Sequence, residues 1–127
     1  MAYEQNLEFL TRNSTNDLSN TGTYLYTGVK LDAAGQIVPV AATTDIPFGV
    51  LYSDPKAGKA AAIATGGAAK VKAGGTITAG QQIGFNAAGA AIAAVTGTPV
   101  CGVAMMSAAA GDIFTAEISF GSVFVHA

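Results

Sequence analysis

From Thr23 the hydrophobic and polar positions alternate, Leu25, Thr27, Val29 and Leu31 interleaving with Tyr24, Tyr26, Gly28 and Lys30. A period of two predicts a strand with one buried face. Asp32-Ala33-Ala34-Gly35 follows, with Asp suited to the first position of a tight turn and Gly to a left-handed last position. The chain is predicted to reverse there into a strand over Gln36 to Ala41. Farther on, Asn86-Ala87-Ala88-Gly89 repeats the turn grammar between a strand ending near Phe85 and a return strand over Ala90 to Val95. Pro47 and Pro99 lack the N–H a ladder needs, so they mark strand starts or an edge. Further strands are predicted over Lys59 to Thr65, Ile113 to Phe120 and the tail Ser122 to His126, with Gly66-Gly67, Gly74-Gly75 and Gly80 punctuating the middle of the chain.

A helix over the alanine-rich Lys56 to Lys72 is the rival reading, since Ala is the best helix former. Gly58, Gly66 and Gly67 fall inside that window, and each costs a helix about 1 kcal/mol relative to Ala. No stretch after residue 20 places large apolar residues at i, i+3, i+4 and i+7. The body therefore reads as all-β, a small β-barrel or β-sandwich.

Much of Ile46 to Gly66 is written a second time as Pro99 to Glu117. Gly49-Val50 returns as Gly102-Val103 and Ala57-Gly58 as Ala110-Gly111, both at an offset of 53 (102 − 49 and 111 − 58). Leu31-Asp32-Ala33-Ala34-Gly35 returns as Phe85-Asn86-Ala87-Ala88-Gly89 at an offset of 54 (85 − 31), so one residue was gained or lost between the copies. Such repetition predicts two related β units, about 28–66 and 80–118, inside a β domain over 21–127.

Residues 1–20 differ in kind. TRNSTNDLSN is rich in Asn, Ser and Thr, and only Tyr3, Leu7, Phe9 and Leu10 offer apolar grip. The segment reads as an extended N-terminal arm, and Leu7 and Leu10, at i and i+3, could share one side of a short helix that is marginal alone. Either the arm orders on a neighbour, with Tyr3, Leu7, Phe9, Leu10 and Arg12 as candidate contacts, or it is a frayed terminus.

Composition sharpens this. A chain of 127 residues is long enough for one domain with a core of its own. Charged residues make up only 11%, against about 25% in an ordinary soluble domain. Part of the exterior is therefore expected to be covered by other chains, the alternative being a bland alanine-rich surface. Net charge is −2, and the six basic residues (Arg12, Lys30, Lys56, Lys59, Lys70, Lys72) form no stripe, so neither nucleic acid nor an anionic membrane is an expected partner. The N-terminal MAYEQNLEFL lacks the apolar core of a signal peptide, and no apolar run approaches the ~18 residues of a membrane span. A soluble protein is expected.

Candidate chemistry is sparse. The carboxylates Glu4, Glu8, Asp17, Asp32, Asp45, Asp54, Asp112 and Glu117 lie mostly in turns and the arm, where Asp usually bonds its own backbone. His126 stands alone near the end, and Cys101, the single cysteine, takes the place of Phe48 in the other copy and reads as a small buried hydrophobe. Neither a zinc site nor a set of nucleophile, base and orienter can be assembled. The glycine-rich runs lack the Lys-Ser/Thr ending of a phosphate loop. A biotinyl or lipoyl carrier, also a small duplicated β structure, needs a lysine at a hairpin tip that Met105-Met106-Ser107 does not supply. No catalytic, cofactor-binding or metal residue is predicted, and no cofactor.

Gly28-Val29-Lys30-Leu31 with Gly35, Pro47-Phe48-Gly49-Val50-Leu51, Ala57-Gly58, Gly74-Gly75-Thr76-Ile77-Thr78-Ala79-Gly80, Gly102-Val103-Ala104 and Ala110-Gly111-Asp112 together resemble the small cement or decoration proteins of tailed-phage heads, over roughly residues 22–120. The arm is longer and richer in Asn than that family's usual start. The resemblance implies a β-barrel or sandwich subunit, made in the bacterial host cytoplasm and trimeric on the outer surface of the virion. There it would cement the capsid by bridging major capsid proteins, with the arm residues Tyr3, Leu7, Phe9, Leu10 and Arg12 as candidate capsid or subunit contacts. It implies no enzyme activity. An adhesive or receptor-binding β module on a virion or cell surface is the alternative.

Overall fold

Both predicted turns form. Asp32 Oδ1 accepts the N–H groups of Ala34 (2.9 Å) and Gln36 (3.0 Å), and Asn86 Oδ1 accepts those of Ala88 (2.9 Å) and Ala90 (3.0 Å). Gly35 and Gly89 close the turns at φ of 78° and 81°, which a residue without Cβ adopts freely.

The computed structural model describes residues 5–19, 23–120 and 124–125. Its strands are β1 Gln5–Asn13, β2 Gly28–Leu31, β3 Ile37–Pro39, β4 Gly49–Leu51, β5 Ala60–Lys72, β6 Gln82–Phe85, β7 Ala91–Ala93, β8 Pro99–Val100, β9 Gly102–Ala104, β10 Ile113–Ser119 and β11 Phe124–Val125. The chain is all-β, with no α-helix among the described residues. Nine strands form one antiparallel sheet in the order β3-β2-β4-β5-β10-β9-β6-β7, with β1 also on β5, while β8 and β11 make a separate pair. From the central β5–β10 pair the order outward is β4, β2, β3 on one side and β9, β6, β7 on the other. The sheet curls like a half-barrel, and parallel bridges from Ser14 to Ile37 and from Ala73 to Ala91 draw its outer strands back toward β1 and β5.

Three expectations change. The arm contributes no helix over Leu7 to Leu10: Gln5–Asn13 is a strand antiparallel to β5, from Asn13 opposite Ala60 to Gln5 opposite Ala68. A pairing strand satisfies the backbone groups of alternate residues along one edge and packs its side chains on the sheet, a tertiary gain that an isolated turn or two of helix lacks. The strand expected from Thr23 begins only at Gly28. Tyr26, at φ 65°, bends the chain there, fixed by its N–H on Leu51 O (2.8 Å) and by Lys72 N–H on its carbonyl (2.9 Å). Gly66-Gly67 does not end a strand either. β5 runs on to Lys72, with Gly67 at φ 94°. At Gly66 and Ala68 β5 pairs with β1 and β10 at once, so both edges are held through the glycines.

Alternation along the strands builds two buried clusters. Leu18, Val29, Ile37, Leu51, Ala61 and Ile63 form one. The other is larger and centres on Phe114, Ile83, Phe85, Val71, Ile77 and Ile118. Burying each large aliphatic or aromatic side chain contributes about 1.5–3 kcal/mol.

Surface polar groups brace the loops. Lys30 Nζ donates to Asp45 Oδ2 at 2.9 Å, and the same oxygen accepts the N–H groups of Ala41 (2.9 Å) and Ala42 (3.0 Å). The Lys30 bond, above all, holds the Asp45 carboxyl below its ordinary value of 3.8. A carboxylate with a depressed folded-state pKa adds stability that is present above its unfolded pKa and is lost as pH falls through the folded one. Asp45→Asn is therefore expected to lower the urea midpoint at pH 7, with the gap to wild type closing as the pH drops below 3.8. A gap that persists at pH 2 would mean that Asp45 acts by shape alone.

Candidate interaction surface

β1 exposes side chains on both of its faces. Phe9 is 49% and Leu10 44% exposed, adjacent large apolar side chains that together put apolar surface on each face of the strand. On one face Phe9 meets Tyr52 edge-on at 5.4 Å, and Tyr52 meets Tyr26 edge-on at 5.1 Å. Tyr52 is anchored in turn, its hydroxyl oxygen accepting the Lys70 N–H at 2.6 Å. On the other face Glu8, Leu10, Phe48, Thr65 and Phe120 line a groove of about 250 Å³. The Arg12 guanidinium lies 6.0 Å from the centre of the Phe48 ring, at the limit of cation–π attraction, and Phe120 stacks on Phe85 at 6.3 Å.

Of the arm residues singled out in the sequence, Leu7 is half-buried against the larger cluster, and Phe9, Leu10 and Arg12 lie exposed along β1. Tyr3 lies outside the described residues. The structure adds Phe48, Tyr52, Thr65 and Phe120 to this surface. They come from separate parts of the chain, and only the pairing of β1 with β5 brings them to the arm. One trace was legible: Phe48 breaks the match between the copies, where its counterpart is Cys101.

Cys101, Asp17, Asp32 and Asp112 are structurally engaged. Cys101 is buried, and burial pushes its thiol up to about 12. It stays a thiol at neutral pH, beside the Ile83 carbonyl at 3.5 Å. Asp17 is held below the usual carboxylate range by the Ser19 hydroxyl, and Asp32 by the Thr15 hydroxyl. Asp112 accepts the Ala109 N–H. Among the described residues no three His, Cys, Asp or Glu side chains gather as metal ligands, and no helix is long and apolar enough to cross a membrane.

The curled sheet, with Asp32, Asp45 and Asp112 bonded within turns and loops and with Phe9 and Leu10 exposed on β1, defines a small all-β protein. Residues 15–119 match the phage cement protein family, and the chain belongs to that family. Membership gives it a structural role on the phage capsid. Its fold is similar to the N-terminal base of the head fiber gp8.5 of bacteriophage phi29, with a TM-score of 0.64 and 22% identity over 94% of this chain and 99% of that one. No curated protein matches it.

Proposed function

We propose that this protein decorates the outer surface of an icosahedral phage head and stabilises it by bridging major capsid proteins. In this reading it acts as a homotrimer made in the host cytoplasm, each subunit built from two related β units with the N-terminal segment as its docking element. Tyr3, Leu7, Phe9, Leu10 and Arg12 make the contacts. The observation that carries the proposal is the exposed Phe9–Leu10 pair on β1, backed by aromatic rings on both faces, in a member of the cement family. Aromatic anchors with near-neutral surroundings are how interfaces concentrate their binding energy. Several weak contacts made at once by one closed ring multiply in avidity. An adhesive role draws its support from the likeness to a head fiber base, which is a likeness of fold.

The test is binding to expanded heads that lack the protein. Wild type is expected to co-sediment with the heads and raise their melting temperature. Phe9→Asp, on an exposed position, is expected to fold normally and bind at least about 30-fold more weakly, the cost of losing one interface hot spot. Undiminished binding would remove β1 from the contact, and glycan or host-cell binding in place of head binding would favour the adhesive reading.

A further inference from the structure

No described strand pairs with the outward edge of β1 along Glu8 to Arg12, and in that stretch the Arg12 guanidinium donates to the Thr11 carbonyl at 2.9 Å. Among the described residues β1 pairs only with β5, and the bridge from Ser14 to Ile37 lies beyond its end. A regular exposed edge is a template for another strand unless charge or irregularity blunts it. The register irregularities of the β1–β5 pair lie at or before the Glu8/Phe9 step, and from Phe9 to Asn13 each residue has a consecutive partner on β5. What the edge carries is a palindrome of charge: Glu8, Leu10 and Arg12 alternate on one face, with acid and base equidistant from the leucine.

We propose that β1 pairs antiparallel with β1 of a second copy, across a two-fold axis through Leu10. In that register Glu8 stands opposite the partner's Arg12, Leu10 opposite the partner's Leu10, and Arg12 opposite the partner's Glu8. Directly opposite side chains in an antiparallel pair sit about 4.5–5.5 Å apart at Cβ, within reach of ion pairing. A two-fold contact uses the same patch twice and must be self-complementary, a condition this spacing meets. A shift of two residues in either direction sets Glu8 or Arg12 opposite leucine, and a shift of four sets one of them opposite itself, so the charges also select the register. The two grooves lined by Leu10, Phe48 and Phe120 then lie side by side as one apolar surface. The pairing goes beyond the cement reading: it joins copies from neighbouring trimers, and it is measured without capsids.

Sedimentation of the purified full chain tests it. Wild type is expected to self-associate beyond its smallest species, its average mass rising with concentration. Glu8→Arg and Arg12→Glu each place like charges opposite one another in both symmetric pairs. At roughly tenfold per pair each is expected to weaken this association about 100-fold. An equimolar mixture of the two variants restores both attractive pairs, and is expected to recover the association that neither shows alone. Leu10→Cys provides a second readout, since two cysteines on the axis meet the separation of a disulfide and Cys101 is buried away from it. Oxidation should link this variant to its neighbour and should not link Asn13→Cys. Failure of the mixture to rescue, or equal cross-linking at positions 10 and 13, overturns the pairing. Head binding that survives in Glu8→Arg, a position outside the proposed head contacts, leaves the cement reading standing.

Discussion

Gly102→Ala is expected to cost about 3 kcal/mol, lowering Tm by roughly 10 °C. Gly102 sits opposite Ile118 where β9 pairs with β10. A Cβ built there runs into the carbonyl oxygen of Glu117, with Glu117 C and Ile118 Cα each 3.1 Å away. All three atoms are backbone in the middle of a paired strand, so no side chain can swing aside and the strands must separate. Gly49 occupies the matching place between β4 and β5. Its Cβ would meet the Ala64 carbonyl oxygen at 2.7 Å and a methyl group of Ile63. Gly49→Ala is expected to be destabilising but milder, because the carbonyl oxygen it meets stands farther off than the one facing Gly102. Gly75, with nothing within 4 Å, is the control, and Gly75→Ala should stay within about 0.5 kcal/mol of wild type. Urea melts of the three variants check the order, and a Gly102→Ala protein as stable as Gly75→Ala would refute the close approach of β9 and β10.

Phe114→Ala should cost about 3–5 kcal/mol, the other large effect expected. Phe114 is fully buried in the larger cluster, on β10 opposite Val71 of β5, where the two halves of the sheet join. Its removal leaves a cavity over a sheet face whose strands β5 and β10 are paired from Ile113 to Ser119 and so resist closing in. Phe114→Leu refills most of the volume and should recover more than half of the loss. Thermal and urea unfolding give the numbers. A loss below about 1 kcal/mol for the alanine variant would show a site free to collapse, and would contradict the rigid junction of β5 with β10.

Those two residues also show how far the sequence could be read. Gly49 and Gly102 stood out as a repeated pair, and the reason for both proves to be one demand, a neighbouring carbonyl too near for a Cβ. The turns at Asp32 and Asn86 were legible because their chemistry is local: one side-chain oxygen bonds N–H groups two and four residues on. Phe114 carried no such mark. Its weight comes from lying where β5 meets β10, and β5 itself was read as ending at its two glycines. Nothing within Gly66-Gly67 reveals that β1 and β10 hold the chain extended from either edge.

The interaction surface divides in the same way. Phe9, Leu10 and Arg12 were conspicuous as the few gripping side chains in a polar segment, but the segment was read as an arm with a chance of a helical turn. Tyr52, Phe48 and Phe120 become part of the surface only through the β1–β5 pairing.

By itself, then, the sequence determined the all-β character, the two turns and the burial of Cys101, because alternation, turn residues and small apolar side chains act over a few neighbours. Only the tertiary structure decided that the N-terminal segment is a strand of the main sheet, that β5 passes unbroken through two glycines, and that Leu10 faces a groove beside Phe48 and Phe120. Each of these depends on hydrogen bonds or contacts between residues tens of positions apart. Such partners leave no periodic trace in the segments they join.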